Sequence, residues 1–268
     1  MIFVLSHSVI GDLAIDNMRK VIDTSIRLSI FVVIFIAMQI VAAIIVTPMP
    51  LGDNMSLQRF VTYVLSMTLT LISLKVFTRF ITPEPEKIRC GRQGFNPIIT
   101  LFGVVVLVAL SIVLSPFEGQ MLTDSREFDD SLWTLLTVVV AAPIFEEIIF
   151  RGKLYNILHV SCAPILAVLL SSAVFGIVHF QPIVFISGIL SGVLFSYAYI
   201  RTRSIYSPIL LHMCNNALAY ALTILSYSER SLLDLVESDA YNFIIYYVSS
   251  IILVVSMIAM VIRIARSR

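Results

Sequence analysis

Charge is what this chain has least of. Asp, Glu, Lys and Arg make up 13% of its 268 residues, while hydrophobic types make up 59%. A water-soluble domain carries about 25% charged and about 45–50% apolar residues. At half the usual charge, the polar surface is too small to clothe a core in water, and lipid is the expected solvent. A mean hydropathy of +0.97 agrees. The formal net charge is only +1, and no basic patch interleaved with aromatics occurs, so nucleic acid is not an expected partner. Cysteine is scarce as well. Cys90, Cys162 and Cys214 form no CxxC pair and no even framework, which excludes a disulfide scaffold. A cleaved signal is also missing from the pattern. Residues 1–10 are mildly apolar without a basic segment before them, and Gly11-Asp12 follows, so they read as a short arm at the membrane interface.

What is present is a succession of apolar runs. A spanning helix needs about 20 such residues. Eight stretches fit, some only as short or interrupted spans: 28–47, 60–77, 97–116, 132–151, 163–180, 183–200, 206–225 and 241–262. The connections are short, with no repeat and no low-complexity tract. The expected fold is therefore all-α, a polytopic transmembrane helical bundle of about eight spans, with residues 1–268 as a single integral membrane domain.

Loop charge orients the bundle. Arg79, Lys87, Arg89 and Arg92 follow span two, Arg151 and Lys153 end span four, Arg201 and Arg203 follow span six, and Arg263, Arg266 and Arg268 close the chain. Glu118, Asp124, Glu127, Asp129 and Asp130 follow span three, and Glu229, Asp234, Glu237 and Asp239 follow span seven. Eight spans put every basic region on one side and both acidic loops on the other. The positive-inside rule makes the basic side, with both termini, cytoplasmic. Local signals mark some ends: Asp130-Ser131 as an N-cap, Pro208 in a first turn, and Gln181-Pro182 as a tight connection. Gly188 and Gly192 form a GxxxG pair suited to close helix packing.

Ionisable groups inside apolar spans are costly and are usually functional. Here they cluster in the second half. Ala-Pro-Ile-Phe-Glu146-Glu147 is followed by Arg151, Phe175 stands four residues before His179, and His212 stands four before Asn216. On a helix, Glu147 and Arg151 share a face and can pair, while Glu146 points about 100° away. Adjacent carboxylates in different settings suit one structural carboxylate and one general base. Phe175 can pack on the His179 ring, and His212 with Asn216 can face one developing oxyanion. Taken singly, each group has an ordinary explanation as an ion pair, a helix–helix hydrogen bond or a packing contact. Together, three polar groups on three neighbouring spans must meet in a core or line a wet cavity. His7 and His159 fit no such pattern and read as interfacial or loop residues.

The ordered trio EExxxR, FxxxH and HxxxN resembles the CPBP family, the CAAX proteases and bacteriocin-processing enzymes also called Abi proteins, which includes the type II CAAX prenyl endopeptidases. The resemblance covers about residues 131–225, which it marks as the catalytic core; the first hundred residues look like generic spans. It implies a membrane-embedded endopeptidase with its catalytic cavity in the membrane. Carried over, Glu146 activates the attacking water, His179 helps to position it, His212 and Asn216 stabilise the oxyanion, and Glu147 and Arg151 hold the site in shape. No cofactor is favoured. A zinc-dependent version is the alternative, because Glu146, His179 and His212 could supply one carboxylate and two imidazoles, although the usual HExxH pair is absent. The implied substrate is a peptide or protein, such as a lipidated tail or a leader peptide, and the expected setting is a bacterial cell membrane. A non-catalytic immunity or scaffold protein and a proton-coupled transporter are the competing readings.

One geometric question stays open at this level. Glu146 and His179 lie at comparable depth along their spans, whereas His212 lies only a turn or two into span seven. That helix must dip inward, or the cavity must be steep.

Overall fold

The computed structural model describes residues 2–52, 54–81, 96–118, 130–179, 182–224 and 239–267, and the elements among them are helical. Eight helical passes follow the eight apolar stretches: α1 (Ile2–Val46), α2 (Met55–Phe77), α3 (Pro97–Glu118), α4 (Leu132–His159), α5 (Pro164–Ile177), α6 (Pro182–Thr202), α7 (Tyr206–Ile224) and α8 (Asp239–Ala265). Six of them, α1, α2, α3, α4, α6 and α8, contain stretches long and apolar enough to cross a membrane. The other two fall short for different reasons. Helix α5 has 14 residues, about 21 Å at 1.5 Å per residue, against a hydrocarbon core of about 30 Å. Helix α7 is long enough but carries His212, Asn215 and Asn216. Helix α7 bears His212 and Asn216, and α5 bears Phe175 and ends just before His179; both helices are packed among others.

The N-terminal residues depart from expectation. Residues 2–10 are not a separate arm but the opening turns of α1, which runs unbroken for 45 residues. No proline interrupts it, and Gly11 alone is too weak a breaker. Pairs of Lys20 with Asp16 at 2.7 Å and Arg27 with Asp23 at 2.8 Å lace its polar end. The connections that carry Lys87, Arg89, Cys90 and Arg92, those that carry Asp124, Glu127 and Asp129, and those that carry Glu229, Asp234 and Glu237 lie outside the described residues, as do Gln181 and Arg268.

Outward faces are apolar. Val33, Ile44, Tyr241 and Ile251, among many others, are largely exposed, as a lipid-facing surface requires. Helix α4 touches α1, α2, α5, α6 and α7. Ser131 caps it, accepting from the Thr134 amide at 3.2 Å. Helices α5 and α6 pack against each other with almost nothing between them. A Cβ added to Gly188 would lie 2.9 Å from the Cα of Gly176, so the GxxxG pair serves close approach.

Helix α4 is not uniform. Its turns widen to π-helix over Leu136–Ala141 and Ile148–Tyr155, with α-helix over Ala142–Glu147 between them. Single π turns inside α-helices often occur at functional sites. The first has a cause in the sequence. Pro143 has no N–H and its ring crowds the preceding turn. The Ala142 amide bonds the carbonyl of Thr137, five residues back.

Candidate active site

The two adjacent glutamates of α4 occupy different environments. Glu147 and Arg151 are fully buried and joined at 2.9 Å. The same Glu147 Oε1 also accepts from His212 Nδ1 at 2.9 Å. A carboxylate oxygen can only accept here, so Nδ1 carries the proton and Nε2 is turned toward Glu146, 3.8 Å from its Oε2. Arg151 meets Glu147 through a single nitrogen. The rest of its guanidinium lies over aromatic faces, 4.3 Å from the Phe175 centroid and 5.3 Å from that of Phe195, an arrangement that stabilises a buried cation.

Glu146 is the partly exposed carboxylate, with 12% of its side chain accessible. Tyr63 on α2 donates its hydroxyl to Glu146 Oε1 at 2.8 Å. The base candidate is thus free of direct neutralisation by Arg151, and its second oxygen faces an imidazole across a gap too wide for a direct hydrogen bond.

The histidines are tied through aromatic rings. His212 stacks on Phe195 at 5.0 Å, and the Phe175 ring lies 5.7 Å from His212 and 5.1 Å from His179. Phe175 therefore packs on His179 as the four-residue spacing predicts, and spans the two motif histidines. His179 Nδ1 donates to the Phe175 carbonyl at 2.8 Å, which in the neutral tautomer leaves Nε2 as an acceptor. His179 makes no hydrogen bond to Glu146 among the described residues. His159, expected at an interface or loop, ends α4 stacked on Tyr155 at 5.5 Å.

Asn216 reaches back to α4 and donates to the Val138 carbonyl at 2.9 Å, while its own oxygen accepts from Asn215 at 3.3 Å. In the α6–α7 turn Ser204 and Ile205 are buried while Arg203 is exposed, and α7 begins at the half-exposed Tyr206. Six residues further on, His212 meets Glu147.

Zinc requires three or four protein donors around one point. Among the described residues no three His, Cys, Asp or Glu side chains gather in that way.

Tyr63 escaped the sequence reading. A lone tyrosine in an apolar span resembles any interfacial aromatic, and nothing in its spacing points to a residue 83 positions away. The acceptor role of Val138 was hidden too, although Pro143 in the quoted motif was a usable signal.

An α-helical bundle with apolar outward faces thus brings two glutamates, an arginine and a histidine together in its interior. The profile of the type II CAAX prenyl endopeptidase Rce1-like family matches residues 128–218, the stretch holding all three motifs. An uncharacterized 24.3 kDa protein of Escherichia coli is 30% identical over 149 residues, which cover 52% of this chain and 68% of that protein. The membrane-embedded CAAX protease MroQ of Staphylococcus aureus (strain USA300) is 27% identical over 225 residues, covering 73% and 88%. No solved structure matches. The chain belongs to the CPBP family of CAAX-type membrane proteases.

Proposed function

We propose that the protein is an intramembrane endopeptidase in which Glu146 is the general base for an attacking water. The observation that carries this reading is the division of labour between Glu146 and Glu147. Glu147 is fully buried, with its Oε1 bonded to both Arg151 and His212, whereas Glu146 is partly exposed and turns Oε2 toward an imidazole nitrogen. As Glu146 Oε2 takes a proton from water, the water oxygen adds to the scissile carbonyl carbon and the carbonyl oxygen becomes an oxyanion. His212, with Nδ1–H on Glu147, offers Nε2–H to that oxyanion when doubly protonated. Asn216 spends one amide hydrogen on Val138 and has the second for the same oxyanion. The C–N bond then breaks, and Glu146 returns its proton to the leaving amine, giving a carboxylate and an amine. His179, with Nε2 free to accept, helps to orient the water; its link to the site through Phe175 supports that role.

The substrate class is a membrane-associated peptide or protein tail, lipidated or carrying a leader. The two relatives come from bacteria, which supports a bacterial cell membrane and peptide maturation. The orientation with both termini cytoplasmic rests on the charge alternation of the sequence.

The test compares membrane proteomes of cells carrying the wild type, Glu146→Ala, His179→Ala or His212→Ala, each confirmed to insert. The variants should accumulate uncleaved proteins that the wild type processes. Identical cleavage in all four strains would sink the reading.

A further inference from the structure

Helix α2 lies outside the stretch matched by the endopeptidase family profile, yet it places a hydroxyl on the base. Tyr63 Oη donates to Glu146 Oε1 at 2.8 Å, while Glu146 Oε2 stands 3.8 Å from His212 Nε2. The two oxygens of one carboxylate are thereby made unequal. Oε1 has its lone pair committed to the phenol, and Oε2 is left to accept a proton. We infer that Tyr63 is a positioning residue of the hydrolytic reaction, fixing the rotation of the Glu146 carboxylate so that Oε2 alone faces the water and the oxyanion site. This rests on the endopeptidase reading above.

Three features support a positional role over a packing one. A free carboxylate rotor would distribute both oxygens over its accessible orientations, and a single charge-assisted hydrogen bond is enough to select one. Glu146 has no other hydrogen-bond donor among the described residues, since Arg151 is engaged with Glu147. The Tyr63 ring also borders a groove of about 340 Å³ between α1 and α2, lined in addition by Gln39, Thr62 and Ser66. The ring is only partly buried against the core, and replacing Tyr63 by Phe keeps that packing while removing the hydroxyl alone, so the fold should be spared. The neighbouring Ser66 hydroxyl bonds the Tyr63 carbonyl at 2.8 Å, which leaves the phenol unaffected.

The consequence is that the reacting unit extends beyond residues 131–225, and an isolated second half of the chain would hold an unoriented base.

The experiment uses the full chain in nanodiscs with an internally quenched peptide that the wild type cleaves and Glu146→Ala does not. Tyr63→Phe should lower kcat by about 10- to 100-fold, the size expected when a hydrogen bond to a charged group is lost, with KM within about twofold. Fluorotyrosines at position 63, which keep shape but alter phenol acidity, should retain activity at levels that follow that acidity; a purely structural ring would not respond. A substrate-free arm records the infrared carboxylate band that disappears in Glu146→Gln, and Tyr63→Phe should shift it. Wild-type kcat in Tyr63→Phe, a loss confined to KM, or an unshifted Glu146 band overturns the proposal. A shifted band with no peptide cleaved by the wild type would overturn the endopeptidase reading instead, and with it the catalytic meaning of the contact.

Discussion

Asn216 on α7 donates to the main-chain carbonyl of Val138 on α4 at 2.9 Å, and a proline five residues beyond Val138 explains why that carbonyl is available. In an α-turn it would accept from Ala142, but the Ala142 amide is bonded to Thr137. In a π-turn it would accept from residue 143, which is Pro143 and has no N–H. Neither helical pattern can satisfy it, and an unsatisfied buried carbonyl costs about 1–3 kcal/mol. The side chain of Asn216 fills the vacancy and is oriented by doing so.

Pro143→Ala supplies the missing N–H and should release Asn216. The expected result is a kcat about tenfold lower, less than the loss on removing an oxyanion donor outright, together with an unchanged or higher melting temperature. A variant that melts normally and keeps full kcat would show that Asn216 is oriented by something else.

The pair of Glu147 and Arg151 is completely buried, and breaking such a pair strands a charge at a cost of about 3–5 kcal/mol. Arg151→Leu and Glu147→Gln should each destabilise the protein strongly. The double variant should be less destabilised than the sum of the singles, because it removes both partners. Arg151→Lys should not rescue, since an ammonium cannot both bond Glu147 and lie flat over Phe175 and Phe195. Thermal melts of the four proteins in one detergent decide this, and simple additivity would contradict it.

Gly192 is the floor beneath Arg151. An added Cβ would stand 2.9 Å from Ser172 Cβ and 3.0 Å from Arg151 Nη2. Gly192→Ala should therefore cost about 1–3 kcal/mol as overpacking and also disturb the Glu147 ion pair, so stability and kcat should fall together. Adding Ser172→Gly opens the space and should recover part of both. Failure of the second change to recover either would place the strain elsewhere.

Much of this arrangement was legible in the sequence. Composition and run length found the eight helices, six of them long and apolar enough to cross a membrane, and the four-residue spacings found the Glu147–Arg151 contact and the packing of Phe175 on His179. What escaped depended on contacts between distant segments or on backbone detail. Tyr63 reaches Glu146 from α2, and no local pattern encodes a contact across 83 residues. The first π segment of α4 follows from a proline whose effect on Val138 shows only once Asn216 is seen to answer it. The N-terminal turns of α1 were misread because weak amphipathicity resembles an arm, while helix continuity depends only on the lack of a breaker.

The depth of His212 was the sharpest of these gaps, and it turns on one residue. Arg203 in the α6–α7 turn has φ of +51°, the one positive value outside glycine among the described residues. That conformation costs a side-chain-bearing residue about 1–2 kcal/mol. The strain is offset within the turn, where the Thr202 hydroxyl bonds the Ser204 carbonyl at 3.3 Å and Ser204 and Ile205 are buried. Asparagine tolerates the left-handed region and a β-branched residue does not. Arg203→Asn should melt at or above the wild-type temperature with full activity. Arg203→Val should melt lower and lose kcat, because a displaced turn draws His212 away from Glu146 and Glu147. Equal melting and equal kcat for the asparagine and valine variants would mean that the turn does not set the position of His212.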